Sequence, residues 1–332
     1  MSGHARVMTY HYSFGGLRVR SQIELPGLVP AADGESGWVG DLDLAVETGS
    51  PIDHDVVSYE WRNGYRLRLG ERDGRWLIRS RFDGSYLIDQ DGRAMTLVAE
   101  TMPPDAAAIE VLLRRVLTRV PMLQGAIAIH AASLLRDGGG MLLIGRSGAG
   151  KSTLCAALTV QDGWQILGDD TALLWRPDAP MLGAGAKMVC LWPESRDGLE
   201  LAAERSIPLA SATGKSRCPV VAGDPPALVP LRALVFLDRR AELAEPRLER
   251  LEIAEAMTLI VPQIIHFNPS GASVQERIHA VSGLRELLHN RPAWRLVYPS
   301  DYAALPQVKA LLRPLLRLDA VACATPSATA SR

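Results

Sequence analysis

Eight consecutive residues, Gly145-Arg-Ser-Gly-Ala-Gly-Lys-Ser152, carry a glycine, a second glycine, a lysine and a serine in the spacing G-x-x-x-x-G-K-[ST]. In that spacing the glycines let backbone N–H groups converge on a polyphosphate, Lys151 reaches the β- and γ-phosphates, and Ser152 offers a hydroxyl to Mg²⁺. The flanks suit the motif. Met141-Leu-Leu-Ile144 reads as a short buried strand, and Thr153-Leu-Cys-Ala-Ala-Leu158 reads as the first turns of a helix whose N-terminus adds positive potential. Phosphate contacts are therefore expected from Gly145, Arg146, Ser147, Gly148, Ala149, Gly150, Lys151, Ser152 and Thr153.

Three further groups have chemistry within reach of that loop. Trp164-Gln-Ile-Leu167 reads as a strand running into Gly168-Asp169-Asp170, and acids at such a strand end either hold Mg²⁺ or accept a proton; the alternative is an ordinary acidic turn. Lys151 and Asp169 are only 18 positions apart, a compact arrangement that narrows the class. His130 lies in the apolar run Ala126–Leu135, which reads as one strand lying beside that of the loop, and is either a satisfied core histidine or part of the site. Ser211-Ala-Thr-Gly-Lys215-Ser-Arg217 is a small-residue loop with two cations; Lys215 either closes over a triphosphate or belongs to a solvated surface.

Positioning these groups calls for an α/β core, and the rest of the chain divides around it. Residues 1–102 form a first domain, with period-two apolar patterning from Tyr10 to about Glu100 and Asn63-Gly64, Asp73-Gly74, Asp83-Gly84 and Asp91-Gly92 as hairpin turns. They read as a β-rich antiparallel meander for recognition or partner contact, built on runs such as Tyr65–Leu69, Arg75–Arg79 and Ser85–Ile88, with Leu17–Arg20 and Asp41–Leu44 as earlier strands. His4, His11 and His54 read as surface groups there, since none has a partner at ligand spacing.

Asp105 is a plausible N-cap for a helix whose Ile109, Leu112, Leu113, Val116, Leu117 and Val120 share one face, with Arg114, Arg115 and Arg119 on the other. It leads into a second domain, 103–318. There Leu228–Leu237 resumes the strand pattern, Glu242–Glu255 reads as a solvated connection, and Ala254–Ile265, Ala280–Leu288 and Ala303–Leu318 look helical, Pro262 bending or ending the first. Residues 319–332, rich in Ala, Ser and Thr, read as a disordered tail.

Composition removes several classes. A net charge of −1 with interspersed signs and no basic tract argues against nucleic acid or an anionic membrane as partner. Four scattered cysteines suggest neither a disulfide framework nor a zinc site, and no run is long enough for a bilayer span, so a cytoplasmic location is expected. Lysine is scarce, four against 36 Lys+Arg in total, which makes Lys151 and Lys215 more informative than lysines usually are.

Taken together, His130-Ala-Ala-Ser133, then Gly145 to Ser152, then Gly168-Asp169-Asp170 resembles the catalytic half of the HPr kinase/phosphorylase-related family. Ser13-Phe-Gly-Gly-Leu17, Leu25-Pro26, Leu296-Val-Tyr-Pro299 and Leu305-Pro306 are similar to the subgroup that includes lasso-peptide tail kinases. The resemblance implies a P-loop kinase core of the HPr kinase/phosphoenolpyruvate carboxykinase type behind the β-rich domain, and ATP- and Mg²⁺-dependent transfer to a serine hydroxyl. The acceptor it implies is a peptide or protein, most specifically the C-terminal serine of a ribosomal lasso precursor; an HPr-like carrier or free serine are alternatives, as is a non-catalytic ATP-binding regulator. It further implies Asp169 as the base, His130 adjusting its protonation, Ser152, Asp169 and Asp170 at Mg²⁺, and an assembly into homo-oligomers. The family's Leu-Glu-x-Arg-Gly-x-Gly stretch is absent, because Leu182-Gly-Ala-Gly-Ala-Lys187 carries no acid.

Overall fold

The computed structural model describes residues 8–31, 37–61, 64–202, 206–219 and 223–317. The expected tail 319–332, together with His4, Asn63 and Cys323, lies outside them. Within them the chain is a mixed α/β protein with several sheets.

The first sheet is built from β1 (Tyr10–Phe14), β2 (Leu17–Ser21), β3 (Val29–Pro30), β4 (Gly40–Thr48), β5 (Val56–Glu60), β6 (Arg68–Arg72), β7 (Arg75–Arg79), β8 (Ser85–Ile88) and β9 (Ala94–Ala99). Their spatial order is β3-β1-β2-β4-β9-β8-β7-β6-β5. From β5 to β9 it is the expected meander, and Asp73-Gly74 has the positive φ at both positions that a tight hairpin demands. The sheet as a whole is not antiparallel, however, because β4 pairs in parallel with both β2 and β9. The Tyr65–Leu69 run also starts its strand later than read: Tyr65 and Leu67 are buried ahead of β6, in the core beneath it.

Next come α1 (Ala106–Val111), a π-helical turn over Leu112–Val116, and α2 (Val120–Leu123). Asp105 caps α1 as expected, its carboxylate accepting the Ala108 N–H at 2.5 Å. The apolar face packs on the first sheet, with Val111, Leu112, Val116 and Leu117 in one core with Leu42, Leu69 and Tyr86. The arginine face is largely covered. Arg119 is buried over the Trp61 ring, Arg115 stacks over Tyr65, and Arg114 is held inside by Tyr65 and Asp170. An amphipathic helix between two layers has no solvated side, and aromatic faces take up the guanidinium groups. His54 is likewise half-buried, bonded to the Leu77 carbonyl at 3.1 Å, rather than a surface group.

The second sheet comprises β10 (Ile127–Ile129), β11 (Ala131–Arg136), β12 (Gly139–Ile144), β13 (Gln165–Gly168), β14 (Ala172–Trp175) and β15 (Met181–Gly183), joined later by further strands. Between β12 and β13 runs α3 (Lys151–Asp162), closed by Gly163 in the left-handed region. A three-stranded sheet is made by β16 (Met188–Leu191), β17 (Ile207–Pro208) and β18 (Ser216–Pro219), with α4 (Pro193–Gly198) after β16. The chain then returns through β19 (Leu228–Arg239), β20 (Arg247–Arg250), α5 (Ile253–Ile260), β21 (Ile264–Ile265), α6 (Val274–Asn290), β22 (Ala293–Tyr298) and α7 (Leu305–Leu312).

The second sheet is covered on both faces. Met141 and Leu143 of β12 point into a core with Leu158 of α3 and Leu312 of α7, and Leu142 and Ile144 into a core with Ile260 of α5 and Leu284 of α6. That two-sided burial explains why Met141–Ile144 reads as a continuous apolar run. Three expectations change. Ala126–Leu135 is two strands with different neighbours, broken at His130; Glu242–Glu255 contains β20, paired to β22; and the last helix is α7 flanked by 3₁₀ turns. Pro262 does end α5, in a 3₁₀ turn. Among the described residues no helix is long and apolar enough to cross a membrane.

The β1–β2 turn sits directly on the second sheet. Gly15 donates to the Ala184 carbonyl at 2.6 Å and accepts from the Trp175 indole at 2.7 Å, and a methyl at Gly183 would overlap the Gly15 backbone. Backbone cannot step aside as a side chain can, so Gly183→Ala is expected to cost about 2 kcal/mol. Urea unfolding measures it, and an unchanged midpoint would show that the contact bears no weight.

Candidate functional site

The loop between β12 and α3 is shaped by positive-φ glycines at Gly148 (82°) and Gly150 (91°), the second serving as N-cap of α3. A side chain at Gly150 would collide with the Tyr298 hydroxyl, which donates to the Ala149 carbonyl at 2.6 Å. The end of β22 therefore braces the loop from outside. Lys151 is folded into the loop, its ammonium bonded to the carbonyls of Gly145 at 2.7 Å and Arg146 at 3.3 Å. Burial lowers its pKa, as does Lys215, while Asp170 and Asp169 oppose the shift.

The acids arrive through β13. Ser133 of β11 stands opposite Gly168, so the two residues after it emerge beside the start of β11 and the head of α3. Ser152 Oγ donates to Asp169 Oδ1 at 2.8 Å, and the Cys190 N–H of β16 donates to Asp169 Oδ2 at 2.9 Å. Asp170 adopts the left-handed region at φ 67° and pairs with Arg114 at 3.3 Å. Arg114 also bonds the Tyr65 hydroxyl, Tyr65 donates to Glu110 at 2.6 Å, and Glu110 accepts the Ala210 N–H at 3.1 Å. One polar chain thus runs from the stretch preceding Lys215 to Asp170.

The two neighbouring aspartates are driven apart. Burial raises the Asp169 pKa, and the charge of Asp170 adds to it, outweighing the bonds from Cys190 and Ser152. Burial also pushes Asp170 upward, but the positive charges of Arg114, Arg115, Lys215 and His130 bring it below the usual range. Opposed environments of this kind separate a proton acceptor from a permanent anion.

His130 occupies the break between β10 and β11. Its N–H donates to the Gln263 carbonyl at 2.7 Å, and its Nδ1 lies 2.9 Å from the Asp170 carbonyl. A carbonyl only accepts, so Nδ1 carries the proton. Its bonded neighbour is therefore the Asp170 backbone rather than the Asp169 carboxylate.

Lys151, Ser152, His130, Asp170, Lys215 and Trp192 all line one open cleft of about 750 Å³. The Lys215 ammonium stands 5.6 Å from the centre of the Trp192 ring. On the far side of the aspartates lies a second cleft of about 580 Å³, bounded by Phe14, Arg114, Thr118, Asp169 and Met188; Asp170 and Cys190 belong to the walls of both. Among the described residues no three His, Cys, Asp or Glu side chains converge as a metal cage. Ser152, Asp169 and Asp170 instead offer three oxygen donors and an excess of negative charge. Such a set suits a hard cation that keeps most of its water, as Mg²⁺ does beside phosphates.

The structure thus gathers the sequence-predicted residues at one place, Lys215 included. It adds Arg114, Trp192, Arg239, Tyr298 and the Cys190 N–H, which sequence reasoning missed. The available signal for Arg114 was Glu110 four positions earlier in the same helical stretch.

Because the folded state holds the Asp169 proton more tightly than the unfolded chain, stability from this group is complete below the unfolded pKa and is lost as pH rises through the folded one. Asp169→Asn removes that slope. The variant is expected to match wild type near pH 4 and exceed it by about 1–2 kcal/mol at pH 8. Urea titrations across that range decide it, and parallel curves would contradict the assignment.

Comparison with known proteins adds two likenesses. A family described as SynChlorMet cassette protein ScmC matches residues 98–212, a segment that contains His130, the 145–153 loop and both aspartates and ends before Lys215. The Hpr(Ser) kinase/phosphatase from Coxiella burnetii superposes with a TM-score of 0.30 at 13% identity, covering 56% of this chain and 94% of that one. No curated protein matches the sequence.

Proposed function

We propose that this chain is a phosphotransferase with a P-loop kinase core of the HPr kinase/phosphoenolpyruvate carboxykinase type, using ATP and Mg²⁺ to phosphorylate a serine hydroxyl. The acceptor we favour is a serine in a peptide or protein, in particular the C-terminal serine of a ribosomal lasso precursor, with the β-rich residues 1–102 as the recognising part. One observation carries the reading: the loop serine Ser152 is bonded to Asp169 at 2.8 Å, at the wall between the cleft lined by Lys151 and Lys215 and a second cleft, which we assign to the acceptor.

ATP supplies the phosphoryl group and Mg²⁺ neutralises its oxygens when both are bound. The chain's own residues do the rest. The N–H groups at the head of α3 and the Lys151 ammonium hold the phosphates, Lys151 leaving the loop carbonyls for phosphate oxygens. Lys215 stands across the cleft to take up charge on the transferred group. Asp169 accepts the hydroxyl proton, a task suited by its raised pKa, while Asp170 stays ionised beside Arg114. His130 fixes the Asp170 backbone in its left-handed turn and so sets the direction of both carboxylates.

The test mixes the protein, ATP, Mg²⁺ and a precursor peptide ending in serine and follows the added phosphoryl mass. Asp169→Asn is expected to lower transfer about 10³-fold while leaving ATP affinity within a few-fold. Undiminished transfer by that variant would remove the base assignment, and tight ATP binding without transfer to any hydroxyl would leave a nucleotide sensor. In the same assay Lys215→Ala is expected to lower the turnover number about 10²-fold with little change in KM for the peptide. A wild-type rate would return Lys215 to the surface.

A further inference from the structure

Away from the 145–152 loop, the first sheet carries an open depression lined by Arg66, Arg68, Arg79 and Arg81 together with Glu60 and Ser80. Strand pairing gathers these side chains. Arg68 of β6 stands directly opposite Arg79 of β7, and Glu60 of β5 faces Arg68 from the other side. Like charges placed opposite each other on a ladder are destabilising, so a sheet that keeps two arginines there gains from an anion between them.

The acids of the chain supply that anion only in part. Arg79 is paired with Asp53, and Glu60 stops 3.9 Å from the Arg68 guanidinium, outside hydrogen-bond range. Among the described residues no acid is paired with Arg66 or Arg81, which leaves four guanidinium groups against two carboxylates. Arg81 is held in place by stacking: its guanidinium lies 4.7 Å from the centre of the Phe82 ring, and the Ser80 hydroxyl pins Phe82 by accepting its N–H at 3.1 Å. Stacking occupies the face of a guanidinium and leaves its edge donors for a carboxylate. Arg66 is in the left-handed region at φ 46°, a conformation that a residue with a side chain keeps only when its surroundings impose it.

The depression adjoins the candidate site through consecutive residues. Tyr65, just before Arg66, is bonded to Arg114 and through it to Asp170. Gly64 is pressed so closely against the Ser211 backbone, four positions before Lys215, that no side chain fits there. A basic face that is open to solvent suits a segment laid across it. Its two ranks, Arg68 with Arg79 and Arg66 with Arg81, are two residues apart along the chain, the period at which alternate side chains of an extended peptide fall on one side.

We propose that Arg66, Arg68, Arg79 and Arg81 bind an acidic segment of the peptide or protein acceptor, its carboxylates met by the edges of the guanidinium groups. The proposal rests on the serine kinase reading above and adds the charge that the acceptor carries apart from its serine.

Fluorescence anisotropy without nucleotide tests it, using a labelled peptide of alternating glutamate and alanine and its glutamine counterpart. Wild type is expected to bind the glutamate peptide about tenfold more tightly, the worth of two or three exposed ion pairs. Arg66→Glu with Arg81→Glu is expected to abolish that preference, and Arg66→Gln with Arg81→Gln, which removes charge without reversing it, to reduce it to about threefold. Arg277→Glu with Arg285→Glu, the same change of charge on the exposed face of α6, is expected to keep it. Equal affinity of wild type for both peptides, or a preference that survives at Arg66 and Arg81, would overturn the site, as would a labelled oligouridylate bound through these arginines in place of the peptide. The variants at Arg66 and Arg81 are expected to bind Mg²⁺–ATP within twofold of wild type. Failure of wild type itself to bind Mg²⁺–ATP would remove the acceptor role and leave a peptide-binding surface.

Discussion

The hydrogen bond between Ser152 and Asp169 is the constraint on which the rest of the site depends. It joins the head of α3, which follows β12, to the residue after β13; β12 and β13 lie two strands apart in the second sheet, and the bond requires both to end at the same depth. β11 makes that possible, because it pairs with β12 on one side and β13 on the other and so fixes their relative heights. Gly168 lets β13 approach closely, since a side chain there would press on the Thr171 carbonyl and the Ser133 hydroxyl. The break at His130 follows from the same requirement. β10 belongs with β14 and β21, β11 with β12 and β13, and the residue between them turns its ring to the Asp170 carbonyl.

Charge is distributed with equal economy. The chain is close to neutral, yet four of its basic groups meet around the aspartates and the loop: Arg114 from the π-helical turn, Lys151 from the head of α3, Lys215 from beside β18 and Arg239 from the end of β19. Two half-buried carboxylates side by side repel in this environment. The cations do not cancel them evenly; most act on Asp170, and Asp169 is left with burial and repulsion as its dominant influences. Different protonation behaviour in adjacent identical residues is thus a product of geometry.

How much of this was legible beforehand depended on the range of the interaction that decided each point. The loop, its strand and its helix are local, and the glycines, the apolar run and the buried helix residues placed them within a few positions. The hairpin turns of the first sheet were equally local. The parallel pairing of β4 was not, since strand direction is set by a crossover through residues with no periodic mark. For Arg114, Arg115 and Arg119 the helical stripe told which residues share a face and not what stands opposite. Tyr298 was legible only as part of the Leu296-Val-Tyr-Pro299 likeness; its bond to Ala149 spans 149 positions.

That last separation bears on how the protein is made. A ribosome delivers the loop long before the residue that braces it, and β12 must also wait for β19, its parallel neighbour in the finished sheet. Until the C-terminal third has emerged, the glycines are free to adopt any of the conformations open to them, and the nascent chain carries the motif without its shape. Assembly of the surface around the loop is therefore a late event in synthesis.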